Sequence, residues 1–154
     1  MIRVGDLIPY FSLANQNNRM RRNDDYTGKW LIIYVYPRDD TPGCTLEARG
    51  FSAKKGEFER LNAHVIGLSD DDVNSHEMFC SKHNISVELL ADPQAKLIKE
   101  LGIESVEYQG KKYWSRTTFI ANPKGEIRYI YTSVNADGHE TEVLQRLKIL
   151  IEEN

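Results

Sequence analysis

Long apolar stretches are missing from this sequence of 154 residues, and no segment of it is long and apolar enough to cross a bilayer. The first residues, Met1 to Asp6, also lack the apolar stretch of a secretion signal. An excess of charge is absent as well, because 20 Lys and Arg stand against 23 Asp and Glu, for a net charge of −3. We therefore expect a cytoplasmic protein whose partners include neither nucleic acid nor a membrane.

Cysteine is scarce, with only Cys44 and Cys80 in the chain. In a cytoplasmic protein such a pair is more often catalytic or redox-active than a structural disulfide, and the alternative is two unrelated buried thiols. Internal repeats, low-complexity stretches and linkers are missing too. Because 40% of the residues are hydrophobic and 28% are charged, we expect residues 1–154 to form one globular domain.

The stretch around Cys44 carries the clearest local signal. Leu31 to Tyr36 is a continuous apolar run of β-branched and aromatic residues, typical of a strand buried on both faces. A polar loop follows, and the turn Pro42-Gly43 places Cys44 in the first turn of a predicted helix. The free N–H groups and the positive dipole end of a helix start stabilise an anion. We therefore expect the pKa of Cys44 to be lowered from about 8.5 to roughly 3.5–7.5.

Pro37, Thr41 and Cys44 form the pattern Pro-x-x-x-Thr-x-x-Cys, which resembles the peroxidatic motif of the peroxiredoxins. The fuller string Tyr-Pro-x-x-x-Thr-Pro-Gly-Cys-Thr resembles the bacterioferritin-comigratory-protein (PrxQ) branch of that family, and the resemblance extends over essentially the whole chain. It implies a thiol-dependent peroxidase that reduces hydrogen peroxide and organic hydroperoxides without haem, flavin or metal. It further implies recycling by thioredoxin or a similar thiol reductant, and a monomer, with a dimer as the alternative.

Strand and helix patterns alternate along the chain. The first predicted elements are an extended arm over Gly5–Pro9, a short strand Tyr10–Leu13 and an edge strand within Arg19–Asp25. A buried strand Leu31–Tyr36 follows, and then a helix from Cys44 to Leu61 that Gly50 and Gly56 interrupt, so that it is split or weak around its first turns. The later predicted elements are the strand His64–Ser69, a helix Val73–His83 capped by Asp72 and Asn84, the strand Val87–Leu90, a helix opened by Asp92-Pro93 and closed by Gly102, a hairpin of Tyr113–Ala121 with Glu126–Thr132, and a helix Glu140–Glu153. This order predicts an α/β protein with a mixed central sheet flanked by helices. Together with the motif it resembles a thioredoxin fold with an N-terminal extension.

The chemistry that the resemblance implies needs a thiolate, fixed donors for both peroxide oxygens and little water. Cys44 would supply the thiolate, and the N–H groups of Gly43 and Cys44 at the helix start would act as donors. The hydroxyl of Thr41 would turn back toward the sulfur or the substrate. Pro37 ends the strand, offers no N–H and would shield the sulfur from solvent.

A guanidinium should complete this site, because it keeps its charge and offers several donors in fixed geometry. Arg116 matches the position from which the peroxiredoxins supply an arginine across the sheet, and the alternative is a solvated arginine at a strand edge. Glu47, one turn after Cys44, matches the acidic or amide residue that orients this arginine in the family. The alternative for Glu47 is a surface carboxylate favourable to the helix dipole.

Attack on a peroxide leaves a sulfenic acid, which must be resolved before it is over-oxidised. Many PrxQ proteins place the resolving cysteine five residues after the first one, but Arg49 stands there in this chain. Another PrxQ subgroup has its resolving cysteine in the next helix, which matches Cys80. The resemblance thus implies an intramolecular Cys44–Cys80 disulfide, and the alternative is a thiol buried in the helix face.

Three further alternatives stay open. His76, Cys80 and His83 fall at i, i+4 and i+7 of a helix, which would suit a zinc face, although no fourth ligand is evident nearby. The chain could also be a one-cysteine peroxidase that an outside thiol resolves. From a different class, it could be a thioredoxin-fold binding or chaperone module without turnover.

Overall fold

The computed structural model describes residues 1–153, and in this range nine strands, five α-helices and a 3₁₀ turn alternate. The strands are β1 (Ser12–Asn15), β2 (Met20–Arg22), β3 (Trp30–Val35), β4 (Ala63–Ser69), β5 (Glu88–Ala91), β6 (Ser105–Tyr108), β7 (Lys111–Trp114), β8 (Thr117–Ala121) and β9 (Ile127–Tyr131). The helices are α1 (Pro42–Ala53), α2 (Lys55–Arg60), α3 (Val73–His83), α4 (Lys96–Glu100) and α5 (His139–Glu153). No helix among these residues is long and apolar enough to span a membrane.

Seven strands form one mixed sheet in the order β2-β1-β5-β4-β3-β8-β9. β3, β4 and β5 run parallel, whereas β8 pairs with β3 and β1 pairs with β5 in the antiparallel sense. All six residues of β3 are buried, which confirms the prediction of a strand covered on both faces. The mixed sheet and the N-terminal β1–β2 hairpin at its edge likewise confirm the expected thioredoxin fold with an N-terminal extension.

Alternate side chains of β3 enter two separate cores, because successive residues of a strand point to opposite faces. Ile32 and Tyr34 pack with aromatic residues of α1, α2 and α3, including Phe51 and Phe79. Leu31, Ile33 and Val35 pack on the other face with α4 and the N-terminal segment. Burying one such side chain contributes roughly 1.5–3 kcal/mol. The sheet is therefore fixed from both sides, and the loop that leaves β3 starts from a rigid point.

The predicted helix from Cys44 to Leu61 is split, but not around its first turns. It begins earlier, at Pro42, and breaks at Lys54 between α1 and α2. Gly50 does not interrupt α1, because the space that its missing side chain leaves is used by Glu140 of α5. An ideal Cβ at Gly50 would lie 2.6 Å from the carboxyl carbon of Glu140. The glycine therefore serves helix packing, and the first turns around Cys44 are regular.

Of the two helices that follow, α3 begins and ends where its predicted caps place it, whereas α4 begins later than predicted. α3 has the expected bounds: Asp72 Oδ1 accepts the N–H of Ser75 at 2.8 Å, and Asn84 takes the left-handed conformation with φ 55°. α4 begins only at Lys96, so the prediction that Asp92-Pro93 opens it directly is wrong. The carboxylate of Asp92 instead accepts the N–H groups of Lys96 and Ile98 at 3.0 and 2.9 Å across an intervening turn.

The predicted strand Tyr113–Ala121 is two strands in the structure. Tyr113 belongs to β7, which pairs with β6 in a separate two-stranded hairpin that the sequence reading missed. Its turn has positive φ at both Gln109 (52°) and Gly110 (78°), as a two-residue hairpin turn requires. Arg116 lies in the break between β7 and β8. Because β8 pairs with β3 through Thr117 and Val35, Arg116 stands beside the carboxyl end of β3.

Gly67 in β4 and Gly56 in α2 give opposite predictions for substitution by alanine. An ideal Cβ at Gly67 would lie 2.6 Å from Leu89 Cδ2 and 2.7 Å from Tyr34 Cζ, inside the core. We expect Gly67→Ala to lower the free energy of unfolding by about 1–3 kcal/mol. Gly56 is exposed with only Arg60 nearby, at 3.9 Å, so Gly56→Ala should raise it by up to about 1 kcal/mol. Urea unfolding measures both, and a neutral Gly67→Ala would contradict the close packing.

Candidate active site

Cys44, Glu47 and Arg116 meet at the start of α1. Cys44 lies in its first turn with no exposed surface, and Glu47 lies one turn later, also fully buried. Arg116 Nη2 donates to Cys44 Sγ at 3.5 Å, and Nη1 donates to Glu47 Oε1 at 2.7 Å. Gly43 permits this approach, because an ideal Cβ there would lie only 3.0 Å from Arg116 Nη2. One guanidinium thus joins the thiol to the carboxylate.

Thr41 and the backbone of Arg38 also act on the thiol. Thr41 is the extended N-cap residue of α1, and its hydroxyl donates to the carbonyl of Arg38 at 3.2 Å. The Thr41 hydroxyl and the Arg38 backbone N–H also lie within hydrogen-bonding reach of the Cys44 sulfur, where both favour the thiolate. Pro37 is half-buried in the loop that follows β3. The sequence did not predict the backbone N–H of Arg38 as a donor, because every residue except proline has such a group and no side chain marks it.

The pKa of Cys44 is raised, not lowered as the helix start alone predicted. Burial is the largest influence on the thiol and raises its pKa, since a buried sulfur loses the water that solvates its anion. Arg116 opposes this most strongly, followed by Thr41 and the Arg38 backbone. The N-terminal position in α1 therefore does not outweigh burial in setting the pKa of Cys44. Among the groups that favour the anion, the Arg116 guanidinium has the largest effect.

Burial disfavours the charged form of the Glu47 carboxyl group. Loss of solvent raises its pKa to about 7, and the Arg116 guanidinium acts in the opposite direction. Only one of its oxygens is hydrogen-bonded, because Oε2 is buried and has no hydrogen-bond partner among residues 1–153. The alternative of a surface glutamate at the helix dipole is wrong. Glu47 lies inside the site, where it contacts the arginine that it was predicted to orient.

Cys80 is placed apart from this cluster. It is half-buried on α3 and packs against the same core that contains Cys44, and both thiols are free. Burial, together with the nearby carboxylate of Asp39, raises the pKa of Cys80 to about 12. No contact among the described residues joins the two sulfurs directly, so the Cys44–Cys80 disulfide stays a prediction.

The zinc face of His76, Cys80 and His83 is contradicted by the structure. Both ring nitrogens of His76 are engaged, Nδ1 at 2.7 Å from Asp39 Oδ2 and Nε2 at 3.0 Å from the carbonyl oxygen of Leu90. His83 Nε2 contacts Asp40 Oδ1 at 2.6 Å instead. The three residues therefore present their donor atoms to different partners.

A mixed sheet of this topology, with a buried thiol at a helix start and an arginine across from it, defines a thioredoxin-fold thiol enzyme. The AhpC/TSA family model matches residues 4–130. Peroxiredoxin Bcp of Bacillus subtilis is 34% identical over 154 residues, which cover 98% of each chain. The chain thus belongs to the AhpC/TSA family and is a peroxiredoxin, a thiol-dependent peroxidase that takes a hydroperoxide as substrate and a thiol as reductant.

Solved structures agree with this assignment. A crystal structure of a mutant of Xylella fastidiosa PrxQ has a TM-score of 0.93 at 32% identity and covers 98% of each chain. Structures of the bacterioferritin comigratory protein of Xanthomonas campestris have a TM-score of 0.84 at 32% identity, with 90% of each chain covered. The sequence resemblance to the PrxQ branch is thereby confirmed.

The arrangement predicts a large effect of Arg116→Met on the reaction with peroxide. Losing one preorganised donor to developing charge costs about 10²–10³-fold in rate, and we expect a loss of that order. Because Arg116 favours the thiolate against burial, the pKa of Cys44 should rise further. The pH dependence of Cys44 alkylation in a Cys80→Ser background measures this shift. Arg49→Met, which removes an exposed arginine of α1, is the control, and an alkylation profile that Arg116→Met leaves unmoved would contradict the role.

Glu47 gives a prediction for stability against pH. Its pKa is about 7 in the folded protein and 4.5 in its ordinary state, so the unfolded chain releases the proton first as pH rises. The carboxyl therefore contributes stability below about pH 4.5 that is lost as pH rises through about 7. Relative to Glu47→Gln, the wild type should lose on the order of 3 kcal/mol over this range. Urea unfolding at several pH values measures the free energy of unfolding of both proteins. If this free energy changes with pH in the same way in the wild type and in Glu47→Gln, the prediction is wrong.

Proposed function

We propose that Cys44 is the peroxidatic nucleophile of this peroxiredoxin. The observation that carries the proposal is the single guanidinium of Arg116, which donates both to Cys44 Sγ and to the buried Glu47. The thiolate attacks one peroxide oxygen, so that an S–O bond forms while the O–O bond breaks. The departing oxygen takes up a proton and leaves as water or alcohol, and Cys44 becomes a sulfenic acid.

The surrounding groups act on charge that moves from sulfur to the leaving oxygen. Arg116 stabilises the thiolate and then the departing oxygen, and Glu47 is a positioning residue that holds the guanidinium in place. The hydroxyl of Thr41 and the N–H groups at the start of α1 act as further donors. Pro37 covers the sulfur from the loop side, so that water has little access.

The substrates in this proposal are hydrogen peroxide and organic hydroperoxides. The structures of the Xanthomonas campestris relative are described as addressing its alkyl peroxide reduction activity, which supports organic hydroperoxides here as well. Pro37, Thr41 and Gly43 are partly exposed, so a small reactant approaches the buried sulfur from this side.

Cys80 is the resolving cysteine in this proposal. Its thiolate attacks the sulfenic sulfur, so that an S–S bond forms, the S–O bond breaks and the hydroxyl leaves as water after taking up a proton. A dithiol such as that of thioredoxin then reduces the disulfide by exchange. We further propose a single domain that acts as a monomer in the cytoplasm, with a dimer as the alternative. The one sheet shared by both cores supports the single domain.

Two serine variants test this cycle. We expect Cys44→Ser to abolish peroxide consumption with the fold retained, because its hydroxyl offers no accessible anion. Cys80→Ser should consume one equivalent of peroxide, stop at the sulfenic acid and then over-oxidise. Mass spectrometry after one equivalent of peroxide should find a single Cys44–Cys80 disulfide in the wild type. If Cys80 stays free and thioredoxin-linked turnover persists in Cys80→Ser, the one-cysteine cycle takes its place.

A further inference from the structure

The loop that carries Pro37 and Thr41 is bound to the helix that carries Cys80. Asp39 of this loop is buried, and its Oδ2 accepts the hydroxyl of Ser75 at 2.8 Å and lies 2.7 Å from His76 Nδ1, both on α3. Its Oδ1 accepts the hydroxyl of Tyr36 at 2.6 Å. The other ring nitrogen of His76, Nε2, lies 3.0 Å from the carbonyl oxygen of Leu90, so both ring nitrogens are engaged. Asp39 and His76 thus form a buried, fully bonded tie between loop and helix.

A second tie lies at the other end of the same helix. Lys82 Nζ donates to Asp40 Oδ2 at 2.8 Å, and His83 Nε2 lies 2.6 Å from Asp40 Oδ1. Asp40 has a positive φ of 62°, and its side chain makes both contacts with α3. Cys80 stands between the two ties in the sequence of α3. The loop therefore fixes the helix on both sides of the second thiol.

We infer that Asp39 and Asp40 are positioning residues that latch the Cys44 loop to α3, and that release of this latch admits Cys80 to the sulfenic acid of Cys44. The latch is the set of contacts that these two aspartates make with Ser75, His76, Lys82 and His83. The inference concerns the resolving step and rests on the proposed role of Cys80.

Release is needed because the closed arrangement keeps the second thiol out of the reaction. A disulfide requires its two Cα atoms within about 7 Å, whereas in the closed arrangement both thiols are free, Cys44 buried in α1 and Cys80 half-buried in α3. Burial and the Asp39 carboxylate also raise the pKa of Cys80 to about 12, so the closed state holds it as a thiol. When the latch opens, Cys80 leaves both influences, and the thiolate that attacks the sulfenic sulfur becomes accessible.

The latch would set the fate of the sulfenic acid. While it is closed, Arg116 and the loop keep the site ready for a peroxide. After oxidation, the sulfenic acid either waits for Cys80 or meets a second peroxide and becomes a sulfinic acid. A weaker latch should therefore speed disulfide formation and protect Cys44 from over-oxidation, without changing the first reaction with peroxide.

Two variants weaken the latch from opposite sides. Ser75→Ala removes one donor to Asp39 but keeps the backbone N–H that Asp72 accepts. Because alanine favours an isolated helix over serine, any loosening of α3 in this variant must come from the lost tie. Asp40→Asn weakens the second tie and suits the positive φ, which asparagine also tolerates. The matched control is Glu77→Gln, the same change of charge on an exposed position of α3.

The first measurement is amide hydrogen exchange of the reduced protein, without peroxide. We expect Ser75→Ala to raise exchange about tenfold in α3 and, across the tie, in the loop 37–41. Asp40→Asn, whose contacts are exposed, should raise it about two- to fivefold. Glu77→Gln should leave exchange in the loop unchanged. Exchange that stays at the wild-type rate in both latch variants would overturn the inference.

The second measurement follows the reaction in time with one equivalent of peroxide and again with excess. Sulfenic acid formation should keep the wild-type rate in Asp40→Asn, while disulfide formation rises in step with exchange and the sulfinic fraction at excess peroxide falls. If disulfide formation keeps the wild-type rate in a variant whose amide exchange is faster, the inference is also overturned. If exchange rises as expected but the wild type forms no disulfide, the latch stands as a tie between loop and helix and the proposed two-cysteine function fails.

Discussion

The contact of Arg116 with Cys44 and Glu47 is the interaction on which the site depends. A thiol with no exposed surface is disfavoured as an anion, and the guanidinium is the strongest influence that opposes this. The arginine in turn needs a fixed direction, which the carboxylate of Glu47 provides at 2.7 Å. Much of the fold serves this one placement: β8 pairs with β3, and Gly43 leaves room for the guanidinium.

Burial gives the site its chemistry and also creates its difficulty. A water-poor site strengthens every interaction of Arg116 with developing charge, but the same packing covers Cys44 completely and Cys80 in part. In the cycle that we propose, the protein alternates between a closed state that reacts with peroxide and an open state that forms the disulfide. The aspartates next to Thr41 lie where one loop can stabilise the first state and delay the second, because they contact both ends of α3.

Much of the fold and of the site was predicted from the sequence, and each wrong prediction has a physical cause. Caps such as Asp72 and Asn84 were predicted because they act within a few residues. The start of α4 was not, because the Asp92 carboxylate bonds N–H groups across a turn. Gly50 was read as a weak point of a helix, since the side chain of Glu140 that fills its place comes from the far end of the chain.

The sequence by itself determined the strand–loop–helix around Cys44, the alternating order of elements and the identity of the residues that meet in the site, because local pattern and motif spacing carry that information. Only the tertiary structure decided how those residues act on one another. The pKa of Cys44 depends on how deeply the thiol is buried. Glu47 lies inside the site because α1 packs inward there. Asp39 and Asp40 acquire their partners on α3 only when that helix packs against the loop. These effects arise from contacts between residues distant in the chain, and no local pattern records them.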